Sequence, residues 1–572
     1  MPRPSDLTAQ RASLIVAFVL LALLVVRLVG ILTTGAELYA DEAQYWRWSR
    51  TFQWGYYSKP PMIAWVIGST TAVFGNAEWA IRLAAPVLHT VAAAALYLLG
   101  RQMYGARVGM FAALGYAVMP GVVISASVIS TDGVLLPFWC ISLYLLWQLR
   151  IGALGPTGCV FLGLCMGAGF LAKYAMLYFF IGLVLTTLLD QETRKAVASL
   201  KGLAAIGIAA ALIAPHMMWN VANEFATVSH TVDNANLEGD LLNPENLGEF
   251  LLDQMGVFGP ISFLALLGGI WPFVARPAMG EWDRRDLWLL AFIIPVIVII
   301  AGQSVLSRAH ANWAATAYPA ASVLVAAWLT RAAPRRLLWI VLAAIIGPAF
   351  LLAPDASLLA RAGMGILSSG IILIVGLASH WRPSGLLWAS IGLHVSVGTL
   401  FVGLFAAPPS FSTAMGMDNA LKRVKGWEIA ALEIAERAKT ERATSILVDE
   451  REVWHGLDYY MRDLDAPPLI AWRRNSGPKS FSEQVPMDDG LDDTVLVASF
   501  RPHLRPRMRA DFSEFSYLDD VATSLGQRSN GCPIVRRFAL YIASSYTERT
   551  RDRAWEERFD GLSERPNPRC PK

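Results

Sequence analysis

Apolar stretches long enough to cross a bilayer recur along this chain up to about residue 406 and then cease. A helix needs roughly 20 mostly apolar residues to cross the hydrocarbon, and within it every backbone N–H and C=O must be satisfied inside the segment. The repetition therefore restricts the first part of the chain to a bundle of membrane helices and leaves a polar C-terminal region. Of 572 residues, 55% are hydrophobic and 16% charged, and the mean hydropathy is +0.43, a balance outside the range of soluble domains. The pattern predicts about thirteen spans, near residues 13–33, 83–100, 107–125, 132–149, 156–172, 174–189, 199–217, 254–274, 287–304, 312–330, 335–353, 362–379 and 384–406. The first is longer than the apolar core of a signal peptide and lacks a small-x-small cleavage site, so it is expected to be a retained helix.

Basic residues sort the loops between these spans. Arg3 and Arg11, Arg101 and Arg107, Arg150, Arg194 with Lys195 and Lys201, Arg276 with Arg284 and Arg285, Arg331 with Arg335 and Arg336, and Arg382 fall in alternate loops, while the stretch 218–250 has no basic residue. The positive-inside rule then predicts a cytoplasmic N-terminus. The loop at Asp41, the loops 218–250 and 305–311, and the C-terminal region share the outer face, which in a bacterium is the periplasmic side of the inner membrane. The expected division is a membrane body over 1–406, with outer loops 34–82 and 218–253, followed by a small α/β domain over 407–572. In that domain Ala430–Thr440 reads as helix, and Ser445–Asp449 and Thr494–Ala498 read as buried strands. The basic, proline-containing end from Thr547 to Lys572 is expected to be disordered. A formal charge of +3 gives no case for nucleic acid. Among five cysteines, Cys140, Cys159 and Cys165 read as buried thiols, and spacing alone leaves open whether Cys532 and Cys570 pair.

The first outer loop reads Tyr39-Ala40-Asp41-Glu42-Ala43-Gln44-Tyr45-Trp46 and then Trp54-Gly55-Tyr56-Tyr57-Ser58-Lys59-Pro60-Pro61. Ionisable residues beside a span are costly unless they meet water or each other, and they commonly mark function. Positions 41 and 45 share a helical face, which places a carboxylate able to act as a base next to an aromatic ring that grips an acceptor. Pro60 biases Lys59 to an extended backbone that holds its ammonium out as a point charge for phosphate. The aromatics alone would equally suit an interfacial belt. Thr131-Asp132-Gly133 opens the fourth span, where Asp132 also suits a helix N-cap. Lys173 lies between two apolar segments and either snorkels or pairs with an anion. Arg308-Ala309-His310-Ala311-Asn312-Trp313 places a cation, an imidazole and an amide within about one helical turn. His216, Trp219, Asn220 and His230 lie near Asp233, Glu238, Asp240, Glu245 and Glu249, without the spacing of a metal motif. Asp463-Leu464-Asp465 reads as a solvated turn. No motif calls for a cofactor, and none supports a divalent metal.

With these residues in view, the chain resembles the GT-C glycosyltransferases, in the group that holds protein O-mannosyltransferases and the bacterial transferase that adds aminoarabinose to lipid A. The features that carry the resemblance are Asp41-Glu42 with Tyr45, Tyr56 with Lys59-Pro60-Pro61, Thr131-Asp132, Lys173, His310 to Trp313 with Tyr318-Pro319, and Lys422-Arg423-Val424-Lys425-Gly426-Trp427. The resemblance covers most of the membrane body and is strongest over 37–175. It implies an inverting transfer of a sugar from a polyprenyl-phosphate donor to a lipid, glycan or protein acceptor of the envelope. It also implies roles: Asp41 and Asp132 as catalytic carboxylates, with Lys59, Lys173, Arg308 and His310 on the donor phosphate. Glu42, Tyr45, Tyr56, Tyr57, Asn312 and Trp313 would then contact substrate. Gln44 stands where the aminoarabinose transferases carry an arginine, and there is no room for the β-trefoil insert of the protein mannosyltransferases. The expected partners are the lipid-linked donor, a lipid or glycan acceptor and membrane lipids. The rival reading is a multi-pass transporter or flippase of a lipid-linked substrate, which predicts mid-span charges and internal symmetry.

Overall fold

The computed structural model describes residues 8–234, 241–275, 283–331, 362–363, 365–367, 369–370, 384–406, 409–475, 477–484, 494–528, 530–547 and 549–566. They form two compact units. Of the described residues, one unit holds those up to Thr34 and those between Gln53 and Arg331 and between 362 and Ala406, and the other holds Gly35–Phe52 and those from 409 onward.

The first unit is a multi-pass membrane bundle. Among the described residues, seven helices are long and apolar enough to cross a bilayer: Ala9–Thr33, Glu78–Tyr104, Thr131–Arg150, Leu200–Ala222, Arg284–Leu306, Ala311–Arg331 and Gly385–Ala406. Two further pairs bend sharply, Tyr174–Leu189 against Gln191–Val197 by 118° and Glu245–Phe258 against Pro260–Ile270 by 117°. Met62–Phe74, Ala106–Val118 and Pro156–Ala172 are shorter apolar helices. The expected spans at 335–353 and over most of 362–379 lie outside the described residues.

Three elements differ from the sequence expectation, each for a local reason. The stretch read as one span at 254–274 breaks at Gly259, whose φ of +89° no L side chain adopts comfortably, and Pro260 opens the next helix with its fixed φ. The span read at 107–125 is interrupted at Met119, because the residue before Pro120 is biased away from helix. Met62–Phe74 lies within a stretch read as loop, since 13 residues fall short of the length that marks a span.

The second unit is built on a five-stranded sheet: β1 (Ser445–Val448), β2 (Leu469–Ala471), β3 (Val495–Ser499), β4 (Phe512–Gln527) and β5 (Pro533–Tyr546), in the order β2-β1-β3-β5-β4. β1 runs parallel to β2 and β3, with Ser445 opposite Val495 and Val448 opposite Ala498. β5 is antiparallel to both β3 and β4. Residues of β1 and β3 alternate between two apolar layers. Ile446, Val448, Leu496 and Ala498 face helices Trp427–Thr440 and Arg451–Tyr460, while Leu447, Val495 and Val497 face Trp472, Trp555 and Phe559, as central strands buried on both faces do. The two strands and the helix expected in this region are present.

Residues 549–566 hold defined structure, against the expectation of disorder from Thr547 onward. Helix Arg553–Arg558 buries Trp555, and Arg551 meets the buried Asp511 carboxylate at 2.5 Å. These anchors offset the entropy of a basic tail. Cys140, Cys159 and Cys165 are buried thiols; a Cys532–Cys570 pairing involves a residue outside those described.

Helix Ala40–Ser49 also belongs to this second unit, although the sequence division at 406 grouped it with the membrane body. Its aromatic face explains why: Tyr45, Trp46 and Trp48 are all buried. Trp46 meets Tyr459 edge-on at 5.0 Å, the Leu38 N–H donates to the Tyr460 hydroxyl at 2.7 Å, and the Glu37 carboxylate accepts the Trp427 N–H at 2.5 Å.

Candidate active site

In the membrane unit the site is assembled around Asp132. Helix Thr131–Arg150 is capped by Ser130, whose hydroxyl accepts the Gly133 N–H at 3.1 Å. Asp132 is therefore not the N-cap, and its carboxylate is available for other groups. Lys173 donates to both of its oxygens, at 2.7 and 2.9 Å, and the Asn312 amide donates to one of them at 2.7 Å. Lys173 interrupts two helices in an extended conformation, φ −162° and ψ 140°, so its ammonium projects toward Asp132 instead of running along a helix to the interface. The ion pair is only partly solvated, with side-chain exposures of 20% and 12%.

Lys59 and Lys173 line one cavity of about 330 Å³, whose other walls include Tyr178, Ile300, Gln303 and Trp313. Two lysines thus line a space otherwise walled largely by aromatic and aliphatic side chains, a combination suited to an anionic headgroup on a lipid. His310 packs edge-on against Trp313 at 5.2 Å. Burial, then the positive charges of Arg308 and Lys173, hold its imidazole below the usual histidine range, so it enters the site neutral at physiological pH. Arg308 is exposed.

The segment carrying Lys59 is fastened at several points. The Tyr56 N–H donates to the Lys59 carbonyl at 3.1 Å, closing a tight turn, and the Thr227 hydroxyl donates to the Tyr56 carbonyl at 2.7 Å. The Trp54 carbonyl accepts from His216 Nδ1 at 2.7 Å. That assigns the proton to Nδ1, so His216 Nε2 accepts from the Tyr174 hydroxyl at 2.8 Å. Burial pushes the Tyr56 phenol up to about 12, and Tyr57 lies edge-on to His230. His216 thus anchors the lysine loop. Among the described residues no group of three His, Cys, Asp or Glu side chains is placed to hold a metal ion; Glu238 and Asp240 lie outside them.

Asp41, Glu42 and Tyr45 lie in the second unit. Glu42 is buried and its carboxylate accepts the Tyr39 N–H at 3.0 Å, which ties it to the helix start. Tyr45 is buried against Trp48, with ring centroids 5.5 Å apart. Asp41 remains partly exposed and meets Arg451 at 3.3 Å, and the same guanidinium donates to the Gln44 side-chain carbonyl at 2.8 Å. Sequence reasoning missed Arg451, which lies 410 positions from Asp41 in a segment with no motif. Asp463 and Asp465 are solvated, as expected, with side-chain exposures of 79% and 97%.

Residues 58–219, which include Lys59, Asp132 and Lys173, match the family model described as dolichyl-phosphate-mannose-protein mannosyltransferase. The lipid A galacturonosyltransferase RgtD of Rhizobium johnstonii is 38% identical over 297 residues, 51% of this chain. The match spans 60% of that relative's length. The crystal structure of ArnT from Cupriavidus metallidurans bound to undecaprenyl phosphate superposes with a TM-score of 0.64 at 17% identity, covering 92% of this chain and 97% of that one. Its apo form gives 0.63 at 18%, covering 92% and 98%. The fold is that of the GT-C membrane proteins. Within that class it is the ArnT fold, with a membrane bundle and an α/β domain.

Proposed function

We propose that this protein is an inverting glycosyltransferase of the inner membrane, moving a sugar from polyprenyl phosphate to a lipid A-type glycolipid on the periplasmic face. The observation that carries this reading is the shared cavity of Lys59 and Lys173, two cations set among apolar walls, with Lys173 braced by Asp132 and Asn312. In the reaction an acceptor oxygen attacks the anomeric carbon from the face opposite the phosphate. The bond to the phosphate oxygen breaks, and polyprenyl phosphate departs with growing negative charge. Cations fixed beside that oxygen stabilise the transition state more than the ground state. Lys59 and Lys173 supply them, Arg308 adds a third positive charge near His310, and neutral His310 donates a hydrogen bond. Asp41 takes the proton of a hydroxyl acceptor or orients the acceptor, with Tyr45 and Glu42 shaping its helix; an acceptor that is already ionised needs no base. The likeness to RgtD supports lipid A over a protein acceptor, and the basic residues of alternate loops support a cytoplasmic N-terminus and a periplasmic C-terminal unit.

The test uses the purified full chain in nanodiscs with undecaprenyl-phosphate sugars and lipid A, the product being read by mass spectrometry. Transfer by the wild type is expected, and Lys59→Ala should lower kcat/KM by about 100- to 1,000-fold, the cost of removing one transition-state donor. Absence of transfer with every donor, joined to movement of labelled undecaprenyl phosphate across sealed vesicles, would replace this reading with a transporter. A reporter fused after Trp427 is expected to be active only outside the cytoplasm.

A further inference from the structure

A buried polar chain inside the membrane bundle has no part in the reaction described above. His89 is fully buried on helix Ala84–Tyr104. Its Nδ1 lies 3.1 Å from the Tyr116 hydroxyl and its Nε2 2.9 Å from the Ser125 hydroxyl. Ser125 in turn lies 3.4 Å from the Ser130 hydroxyl, the group that caps helix Thr131–Arg150 through Gly133 N–H. At the other end, the buried guanidinium of Arg27 donates to the carbonyl of Ala117, the residue after Tyr116. An arginine and a histidine withdrawn from water within a bundle are expensive, and such residues mark function by default. A neutral imidazole completes the chain with either nitrogen protonated.

Gly133 supplies a second, independent observation. A Cβ there would lie 3.2 Å from the Ser125 hydroxyl and 3.5 Å from His89 Nε2. The residue after Asp132 therefore lacks a side chain where the polar chain closes on the helix start. The consequence is geometric: His89, through Ser125 and Ser130, fixes the first turn of the helix on which Asp132 rides. Asp132 in turn fixes Lys173.

We propose that His89 is a positioning residue for the donor phosphate, acting through Ser125, Ser130 and the Asp132 carboxylate to hold the Lys173 ammonium on the cavity. This rests on the proposed lipid-phosphate donor, and its test is chosen to separate the two. Binding of undecaprenyl phosphate to the full chain in nanodiscs is measured for wild type, His89→Leu, His89→Gln, Ser125→Ala and Gly133→Ala, each also in an Asp132→Asn background. Kinetics are measured on the folded fraction alone.

His89→Leu, Ser125→Ala and Gly133→Ala are expected to weaken binding by about tenfold and to raise the donor KM more than they lower kcat, with His89→Gln restoring most of the loss. In the Asp132→Asn background the same changes should cost less than about threefold, the non-additivity of residues that act through one another. Equal losses in both backgrounds, or wild-type binding by Ser125→Ala and Gly133→Ala, would overturn the proposal. Should His89→Leu fail to fold, those two variants still decide it. Wild-type protein that binds undecaprenyl phosphate but transfers nothing would refute the transferase reading and leave this inference standing.

Discussion

At the scale of single residues, one carboxylate organises the candidate site of the membrane unit. Asp132 accepts from Lys173 twice and from Asn312 once, so each partner limits where the others can move. A hydrogen bond to a charged group is worth about 1.5–3 kcal/mol, and Asn312→Ala should accordingly lower transfer by about 10- to 100-fold, measured as kcat/KM with a saturating acceptor. Asp132→Ala removes the counter-charge as well and should cost more. Arg451→Ala frees both Asp41 and Gln44 from one guanidinium. Because it stands beside the residue proposed to meet the acceptor, its loss should raise the acceptor KM several-fold and leave the donor KM unchanged; a change in the donor KM alone would detach Arg451 from the acceptor side. Asp132, Lys173 and Asn312 each stand out in the sequence as candidates, because ionisable and amide groups at the ends of apolar stretches are conspicuous. Their mutual bonds do not, being 41 and 180 positions apart in the chain. Arg27 and His89 carried a readable signal, a charge and an imidazole inside apolar stretches, but periodicity alone says nothing of a partner.

At the scale of elements, the lysine loop depends on helices that follow it. Thr227→Val keeps the side-chain shape and removes the hydroxyl that satisfies the Tyr56 carbonyl. A buried acceptor left without its partner costs about 1–3 kcal/mol, so the loop should exchange amide hydrogens faster and transfer should fall. Helix Ala40–Ser49 responds to pH through Asp458, which lies 3.6 Å from Arg47. Burial pushes the Asp458 carboxyl up to about 6, with Arg47 pulling the other way. A carboxyl raised in the folded state contributes stability that is complete below its ordinary value near 4 and is lost as pH rises through about 6. Hydrogen exchange over residues 40–49 should therefore be better protected at pH 5 than at pH 8, and Asp458→Asn should flatten that difference. Elements followed from the sequence where a pattern of 20 apolar residues or a run of β-branched residues announced them. The breaks at Met119 and Gly259 were written in Pro120 and in the Gly259-Pro260 pair, and the apolar count on either side masked them. Met62–Phe74 escaped because a half-length helix leaves a half-length signal.

At the scale of the whole molecule, the ends of the apolar stretches predicted a membrane part and a polar part, and both exist. What a linear division misses is that the described residues of the second unit come from two distant stretches, since burial of Trp46 and Trp48 counts for more than their place in the chain. Removing residues 407–572 is therefore expected to yield a poorly recovered, polydisperse membrane protein in size-exclusion chromatography, because helix Ala40–Ser49 loses the partners that cover its aromatic face. A membrane body purified intact and monodisperse from such a truncation would count against that dependence. The same feature sets a schedule for biosynthesis. Helix Ala40–Ser49 leaves the ribosome more than four hundred residues before Tyr459 and Tyr460, which at roughly 5–20 residues per second is an interval of tens of seconds. Throughout that interval its tyrosine and tryptophans have no fold to enter, and a nascent chain of this kind is at its most vulnerable to holdase capture or proteolysis well before its last strand is made.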